Sequence, residues 1–185
     1  MNKTATEWFD AIALPKTIST LDFYVNTLLH EEVNELTDSR DIIGLLDAVG
    51  DIDFVVRGVH YILKDVDADE AQKCVEANGC LYTAGVIVTD FEDNHPLEFV
   101  LLKQAITTSN FTKLCKTRTE TQDTQARYLE EGIKTYISKH NDLTIVRVSE
   151  DTTVGGKLFK KDKVMKSVNF EEPKLQVIAN MLEES

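Results

Sequence analysis

At 185 residues, with 42% hydrophobic and 28% charged side chains, the chain is long enough to bury a full core and is neither fibrous nor disordered in composition. Its formal net charge of −12 repels nucleic acid and anionic membranes at long range, so no membrane partner is expected and a nucleic-acid partner would need a local basic patch. Cys74, Cys80 and Cys115 show no CxxC spacing and cannot all pair, residues 1–9 lack an apolar signal core, and no apolar run nears the ~20 residues that cross a bilayer. The expectation is a soluble chain in a reducing cytoplasm, without structural zinc.

In chain order, a short helix is predicted over residues 6–14, closed by Pro15. A second covers residues 20–36, with an apolar stripe of Leu21, Val25, Leu28, Leu29 and Leu36. At about 100° per residue, Glu32 projects into the middle of that stripe and Glu35 lies about 60° from it, at the edge. An unpaired carboxylate there costs several kcal/mol or neutralises, so Glu32 needs a compensator. Asp38, Ser39 and Arg40 turn the chain into a long helix over residues 41–64. In it Asp47 and Asp51 lie about 40° apart on one face, with Val55 and Ile62. Asp53, Arg57 and His60 mark the expected solvent face.

A further helical pattern covers residues 69–77, stopped by Asn78 and Gly79. Residues 81–91, with Val86, Ile87 and Val88, fit either a strand or a buried helix. Pro96 opens a helix over residues 97–107. Residues 122–140 read as a polar amphipathic helix carrying Tyr128, Leu129, Ile133, Tyr136 and Ile137. Residues 143–148 and 157–164 read as short strands joined through Gly155 and Gly156, and residues 173–184 as a last helix. The expected class is all-α, as one domain. Residues 1–142 form its helical core, and residues 143–185 a small β-hairpin appendage and terminal helix packed on that core.

Two antiparallel helices therefore aim carboxylates at packed apolar surface: Glu31, Glu32 and Glu35 from one, Asp47 and Asp51 from the other. Converging like charges repel strongly where the dielectric is low. A hard divalent cation relieves this, and oxygen-only donors suit Mg²⁺, or Mn²⁺ in its place. Bound Mg²⁺ recruits phosphates, which points to phosphate chemistry. The ordinary alternative is a solvated face with i,i+4 salt bridges, but no Lys or Arg stands at those offsets from the glutamates.

The order His30-Glu31-Glu32-Val33-Asn34-Glu35-Leu36, then Leu46-Asp47-Ala48-Val49-Gly50-Asp51-Ile52, resembles the EExxE … (E/D)xxD signature of the MazG-like, all-α nucleoside triphosphate pyrophosphohydrolases. That superfamily includes dimeric dUTPases and phosphoribosyl-ATP pyrophosphohydrolases. Ser109-Asn110-Phe111-Thr112-Lys113-Leu114 is similar to the SNxSKL segment of small, often phage-encoded members. Lys163-Val164-Met165-Lys166-Ser167-Val168-Asn169-Phe170 is similar to their GKVLKSxNY segment. The chain departs from the pattern in spacing its second acid pair i,i+4, which leaves Asp47 either a direct ligand or an acceptor behind one. Asp162 stands where the last segment often has glycine, a change that bears on a turn.

The resemblance implies a MazG-like bundle completed by oligomerisation, as a homodimer or homotetramer, in the cytoplasm (a host's cytoplasm for a phage-encoded chain). It implies Mg²⁺-dependent cleavage of a nucleotide between its α- and β-phosphates, giving a monophosphate and pyrophosphate. Glu32, Glu35 and Asp51 would hold the metal with help from Asp47, and Glu31 beside Glu32 would assist the attacking water. Asn110 would read a base edge, and Lys113 and Lys166 would meet phosphates. As local alternatives, Asn110 caps a helix and the lysines are simply solvated. Phosphoribosyl-ATP or a modified nucleotide is an alternative substrate, and a non-catalytic nucleotide-sensing or protein-interaction module the alternative of another class.

Other signals carry less. Asp65, Asp67 and Asp69, with Glu76 at the twelfth position, mimic an EF-hand loop, but Glu70 stands where the sharp turn needs glycine. Lys157, Lys160, Lys161, Lys163 and Lys166, with Phe159 and Phe170, form the one dense basic segment. It reads as a phosphate-facing lid rather than a nucleic-acid surface. His30, His60, His95 and His140 make no metal spacing, and there is no GxSxG, Walker A or dinucleotide fingerprint.

Overall fold

Helix α1 (Ala5–Ala11) begins the computed structural model, which describes residues 3–76 and 79–184. A reciprocal cap starts it: Thr4 N donates to Glu7 Oε2 at 2.7 Å and Glu7 N donates to Thr4 Oγ1 at 3.1 Å. It stops earlier than the sequence pattern implies, with Ala13 at φ +48°. By internal packing the chain divides into two compact units. The first comprises Met1–Asp10, Leu14–Thr107 and Pro173–Ser185; the second comprises Ala11–Ala13 and Thr108–Glu172. The expected division at residue 142 differs from this, because the packing changes partners at Thr107, inside a helix.

In the first unit, the predicted helix over residues 20–36 is present but not uniform. It consists of α2 (Ile18–Phe23), a π-helical turn (Tyr24–Leu28) and α3 (Leu29–Asp38). The sequence explains the π turn. Leu21, Val25, Leu29 and Val33 recur every four residues, so in a pure α-helix the stripe drifts about 40° per step. The wider i→i+5 turn takes up that drift. Leu21, Val25 and Leu29 are all fully buried as a result. Glu32 is half-buried and Glu35 exposed, so Glu32 stands beside the buried stripe rather than in its middle.

Helix α4 (Ile42–Leu63) is capped by Asp41, whose carboxylate accepts from Gly44 N at 2.8 Å. It is the hub of the unit, packing against α2, the π turn, α3, α6 (Cys80–Asn94) and α9 (Gln176–Glu183). Because neighbours surround it, the expected solvent face is corrected: His60 is exposed, but Asp53 is buried. Arg57 NH2 lies 2.9 Å from the Asp53 carboxylate, and burial still holds the Asp53 pKa above its usual value against the pull of Arg57 and Lys103.

Two glycines set how closely neighbours approach α4. A Cβ at Gly50 would stand 2.5 Å from Ile106 Cγ1, and one at Gly58 would meet the Tyr24 ring, with Cδ1 at 2.8 Å. Gly58→Ala gains about 1 kcal/mol of helix propensity. It must also displace a rigid aromatic ring from the π turn, an overpacking cost of about 1–3 kcal/mol. A net loss of stability is expected, larger than for Gly50→Ala, where aliphatic side chains can rotate away; urea unfolding of both variants checks the order.

Helix α5 (Ala68–Glu76) packs on α2. The predicted end of its pattern at Ala77 and Asn78 lies outside the described residues. Residues 81–91 are helical, within α6: Cys80, Ala84, Ile87, Val88 and Phe91 recur at helical spacing and are among its buried or half-buried positions. Helix α7 (Pro96–Phe111) begins at its proline as expected.

Near the start of the chain the Tyr61 hydroxyl donates to Asp10 Oδ1 at 2.5 Å. Burial first, then that bond and the charges of Asp10 and Asp65, push its pKa up to about 12. The folded state thus holds this proton more tightly than the unfolded chain. The contribution to stability is complete below about pH 10 and is lost as pH rises from there toward 12. Tyr128 and Tyr136 are also pushed up by burial, so an ultraviolet titration should show several late-ionising tyrosines, with Tyr61's ionisation shifted earlier in Asp10→Asn.

In the second unit, α8 (Arg118–Glu130) is capped by Thr117 and ends well before residue 140. The predicted helix over residues 122–140 is therefore corrected: Gly132 takes φ +83°, and β1 (Thr135–His140) follows. Glycine ends the helix, and Thr135, Tyr136 and Ile137 favour a strand. β1 pairs antiparallel with β2 (Leu143–Val148), from Thr135 opposite Val148 to His140 opposite Leu143. The strand predicted over residues 157–164 is shorter. β3 (Thr152–Val154) pairs with β4 (Lys157–Phe159) across Gly155 and Gly156, both at positive φ. Asp162, at φ +69°, turns the chain, and Val164 makes an isolated bridge to Arg147.

Cys115, Tyr128, Ile133, Val146, Val148 and Met165 form the core of this unit, with Val154 and Phe159 against it. Arg147 on β2 is 8% exposed. Its Nε donates to Ser138 Oγ at 2.9 Å, its Nη1 to the Asp162 carbonyl at 2.9 Å, and its Nη2 to the Ile12 carbonyl.

Candidate functional site

The acidic residues singled out in the sequence lie on two helices that pack against each other, α3 and α4. Glu31 and Glu32 occupy the first turn of α3 and are half-buried, while Glu35, one turn on, is exposed. On α4, Asp47 and Asp51 are half-buried among the buried Leu46, Ala48, Val49, Gly50 and Ile52. Carboxylates drawn from neighbouring helices are the donor chemistry a hard divalent cation takes, with water completing its shell. Among the described residues, however, no three His, Cys, Asp or Glu side chains stand together as a ligand group. His30 is exposed.

The other two motif segments meet in the second unit. Ser109 Oγ donates to the Glu171 carbonyl at 2.8 Å, Glu171 N donates to Thr112 Oγ1 at 2.9 Å, and Ser167 Oγ donates to the Thr112 carbonyl at 2.9 Å. The Lys166 carbonyl accepts from Arg127 Nη2 at 2.5 Å and from the Tyr128 hydroxyl at 3.0 Å, and Val168 N donates to Thr124 Oγ1 at 3.0 Å. A loop with so many of its backbone groups tied to side chains is held in one shape.

That clasp brings the three predicted substrate residues together. Asn110 is 6% exposed, just inside the end of α7, and its Oδ1 accepts from Lys113 Nζ at 2.6 Å. It is therefore neither an N-cap nor an open amide; it orients Lys113. Lys166 Nζ stands 4.2 Å from the Phe170 ring centroid, with Lys113 Nζ 6.0 Å from the same ring. Lys166 also pairs with Glu172 at 3.0 Å.

No family model, curated protein or solved structure matches the chain. The reading of the site therefore rests on its own residues.

As partners of Lys166, Arg127, Tyr128 and Glu172 are not marked by anything local in the sequence; each acts on Lys166 from 6 to 39 residues away. The EF-hand mimic is a helix start: Asp67 Oδ1 accepts from Asp69 N and Glu70 N, both at 3.1 Å, and Asp65 pairs with Lys16. In the lysine-rich hairpin, Lys160 pairs with Asp151 at 2.8 Å, and the same carboxylate accepts from Lys161 N. The Lys160 charge is thus answered locally.

Proposed function

We propose that the chain is a Mg²⁺-dependent nucleotide pyrophosphohydrolase that splits a nucleoside triphosphate into its monophosphate and pyrophosphate. The observation that carries this reading is the packing of α3 against α4, with half-buried Glu31 and Glu32 on one helix and Asp47 and Asp51 on the other. When bound, Mg²⁺ would neutralise phosphate charge and favour displacement at phosphorus. Glu32, Glu35 and Asp51 are the proposed holders of the ion, which would draw together side chains that do not stand as a ligand group without it, with Asp47 supporting them and Glu31 orienting a water as proton acceptor. In the second unit, Lys113 and Lys166 are the proposed phosphate contacts, with Asn110 fixing Lys113.

Assembly as a homodimer or homotetramer belongs to the same proposal. It is supported by α7, a helix apolar on several faces that leaves Leu97 70% and Val100 59% exposed. No helix among the described residues is long and apolar enough to cross a membrane. The reading is tested by incubating the protein with Mg²⁺ and a panel of ribo- and deoxyribonucleoside triphosphates and assaying pyrophosphate. Release from at least one is expected. Tight nucleotide binding with no turnover of any would make the chain a binding module instead.

A further inference from the structure

The pairing of Lys166 with Glu172 is the feature that the proposed reaction does not use. Both side chains are largely open, at 48% and 71% exposure, so the pair contributes little to stability and is easily exchanged. The backbone beneath it is the opposite. Arg127 and Tyr128 fix the Lys166 carbonyl, and Phe170, whose own N–H donates to the Ser167 carbonyl at 3.1 Å, lies under the ammonium group. Asn110 fixes Lys113 toward the same ring. Two ammonium groups thus stand near one aromatic ring, each attracted by the ring and repelled by the other. An anion with several oxygens, able to meet both at once, gains more from this arrangement than one exposed carboxylate meeting one of them.

We infer that Lys113 and Lys166 form a polyphosphate clamp whose resident counter-ion is Glu172, displaced when phosphate oxygens enter, and that Phe170 is the positioning residue that holds the two ammonium groups together. This rests on the reading of the two lysines as phosphate contacts, and it adds a competitor within the chain and a residue that sets the clamp's geometry. The ligand chemistry is a di- or triphosphate, whether free pyrophosphate or the tail of a nucleotide.

The test is calorimetric titration with inorganic pyrophosphate, and separately with a nucleoside triphosphate, at fixed ionic strength without divalent cation. Glu172→Gln keeps the shape but removes the competing charge and should bind pyrophosphate about threefold tighter, the scale of an exposed ion pair. The gain should vanish in a Lys166→Ala background. Phe170→Leu should bind about threefold more weakly while Phe170→Tyr restores wild-type affinity, a rescue that follows from the ring face. Unchanged or weaker binding by Glu172→Gln overturns the inference, as does a wild-type protein that binds neither ligand. If Glu172→Gln gains affinity while no nucleotide is hydrolysed, the clamp stands and the hydrolase reading falls. If hydrolysis occurs with no Glu172 effect, the clamp falls and the hydrolase reading stands.

Discussion

On the proposed reaction, Glu32→Gln should lower pyrophosphate release about a thousandfold, a loss of roughly 4 kcal/mol of transition-state stabilisation. The substitution keeps the side chain's size and removes only its charge. Glu32, like Glu31, is half-buried at the start of α3, which packs on the helix bearing Asp47 and Asp51. A charge partly withdrawn from water acts more strongly on its neighbours than one in solvent. Glu35 is exposed, so Glu35→Gln should cost less, about tenfold to a hundredfold. Initial rates across Mg²⁺ concentrations separate lost ion affinity from lost turnover, with circular dichroism as the check on folding. Equal rates for wild type and Glu32→Gln would remove this glutamate from the reaction.

Arg147→Ala should destabilise the second unit by about 2–4 kcal/mol, from the loss of a buried side-chain hydrogen-bond network. The guanidinium holds Ser138 on β1, the Asp162 carbonyl in the turn after β4 and the Ile12 carbonyl. Alanine would leave these acceptors without their donor, and for the buried Ile12 carbonyl, which water does not reach, that costs about 1–3 kcal/mol. Arg147→Lys should recover less than half of the loss, because one ammonium group cannot reproduce a planar fork of five donors. Hydrogen exchange along β1 and β2 measures the effect directly. Fluorescence of Trp8, the single tryptophan, buried against Phe54 with ring centroids 6.4 Å apart, reports the first unit separately. Wild-type exchange rates in the lysine variant would show that the three-way contact is dispensable.

The helices of the first unit were legible because their signals are local. Asp41 caps α4, Pro96 opens α7, and apolar residues at three- and four-residue spacing mark the buried faces. Residues 81–91 were ambiguous as a run of apolar residues, and become clear only when the half-buried positions Ile87, Val88 and Phe91 are seen to share a helical face with Ala84. The reading failed where a local pattern was extended too far. Tyr128, Ile133, Tyr136 and Ile137 can be drawn on one helical wheel, yet Gly132 ends the helix and the pairing of β1 with β2 takes the rest. Strand pairing is a non-local gain, and it overrides a modest helical preference.

The candidate site divides in the same way. The sequence alone determined which residue types stand at which spacing: two acidic segments on two successive helices, and two further segments bearing Asn110, Lys113 and Lys166. These follow from the order of residues and the periods of the elements that carry them. Only the tertiary structure decided their surroundings. A π turn, fitted to four-residue apolar spacing and seated on Gly58, moves Glu32 to the edge of the buried stripe. Neighbouring helices bury Asp53, which a helical wheel leaves in solvent. A set of side-chain-to-backbone hydrogen bonds joins segments about sixty residues apart and brings both lysines to Phe170. Burial and partnership depend on what lies across the chain, and no local period encodes that.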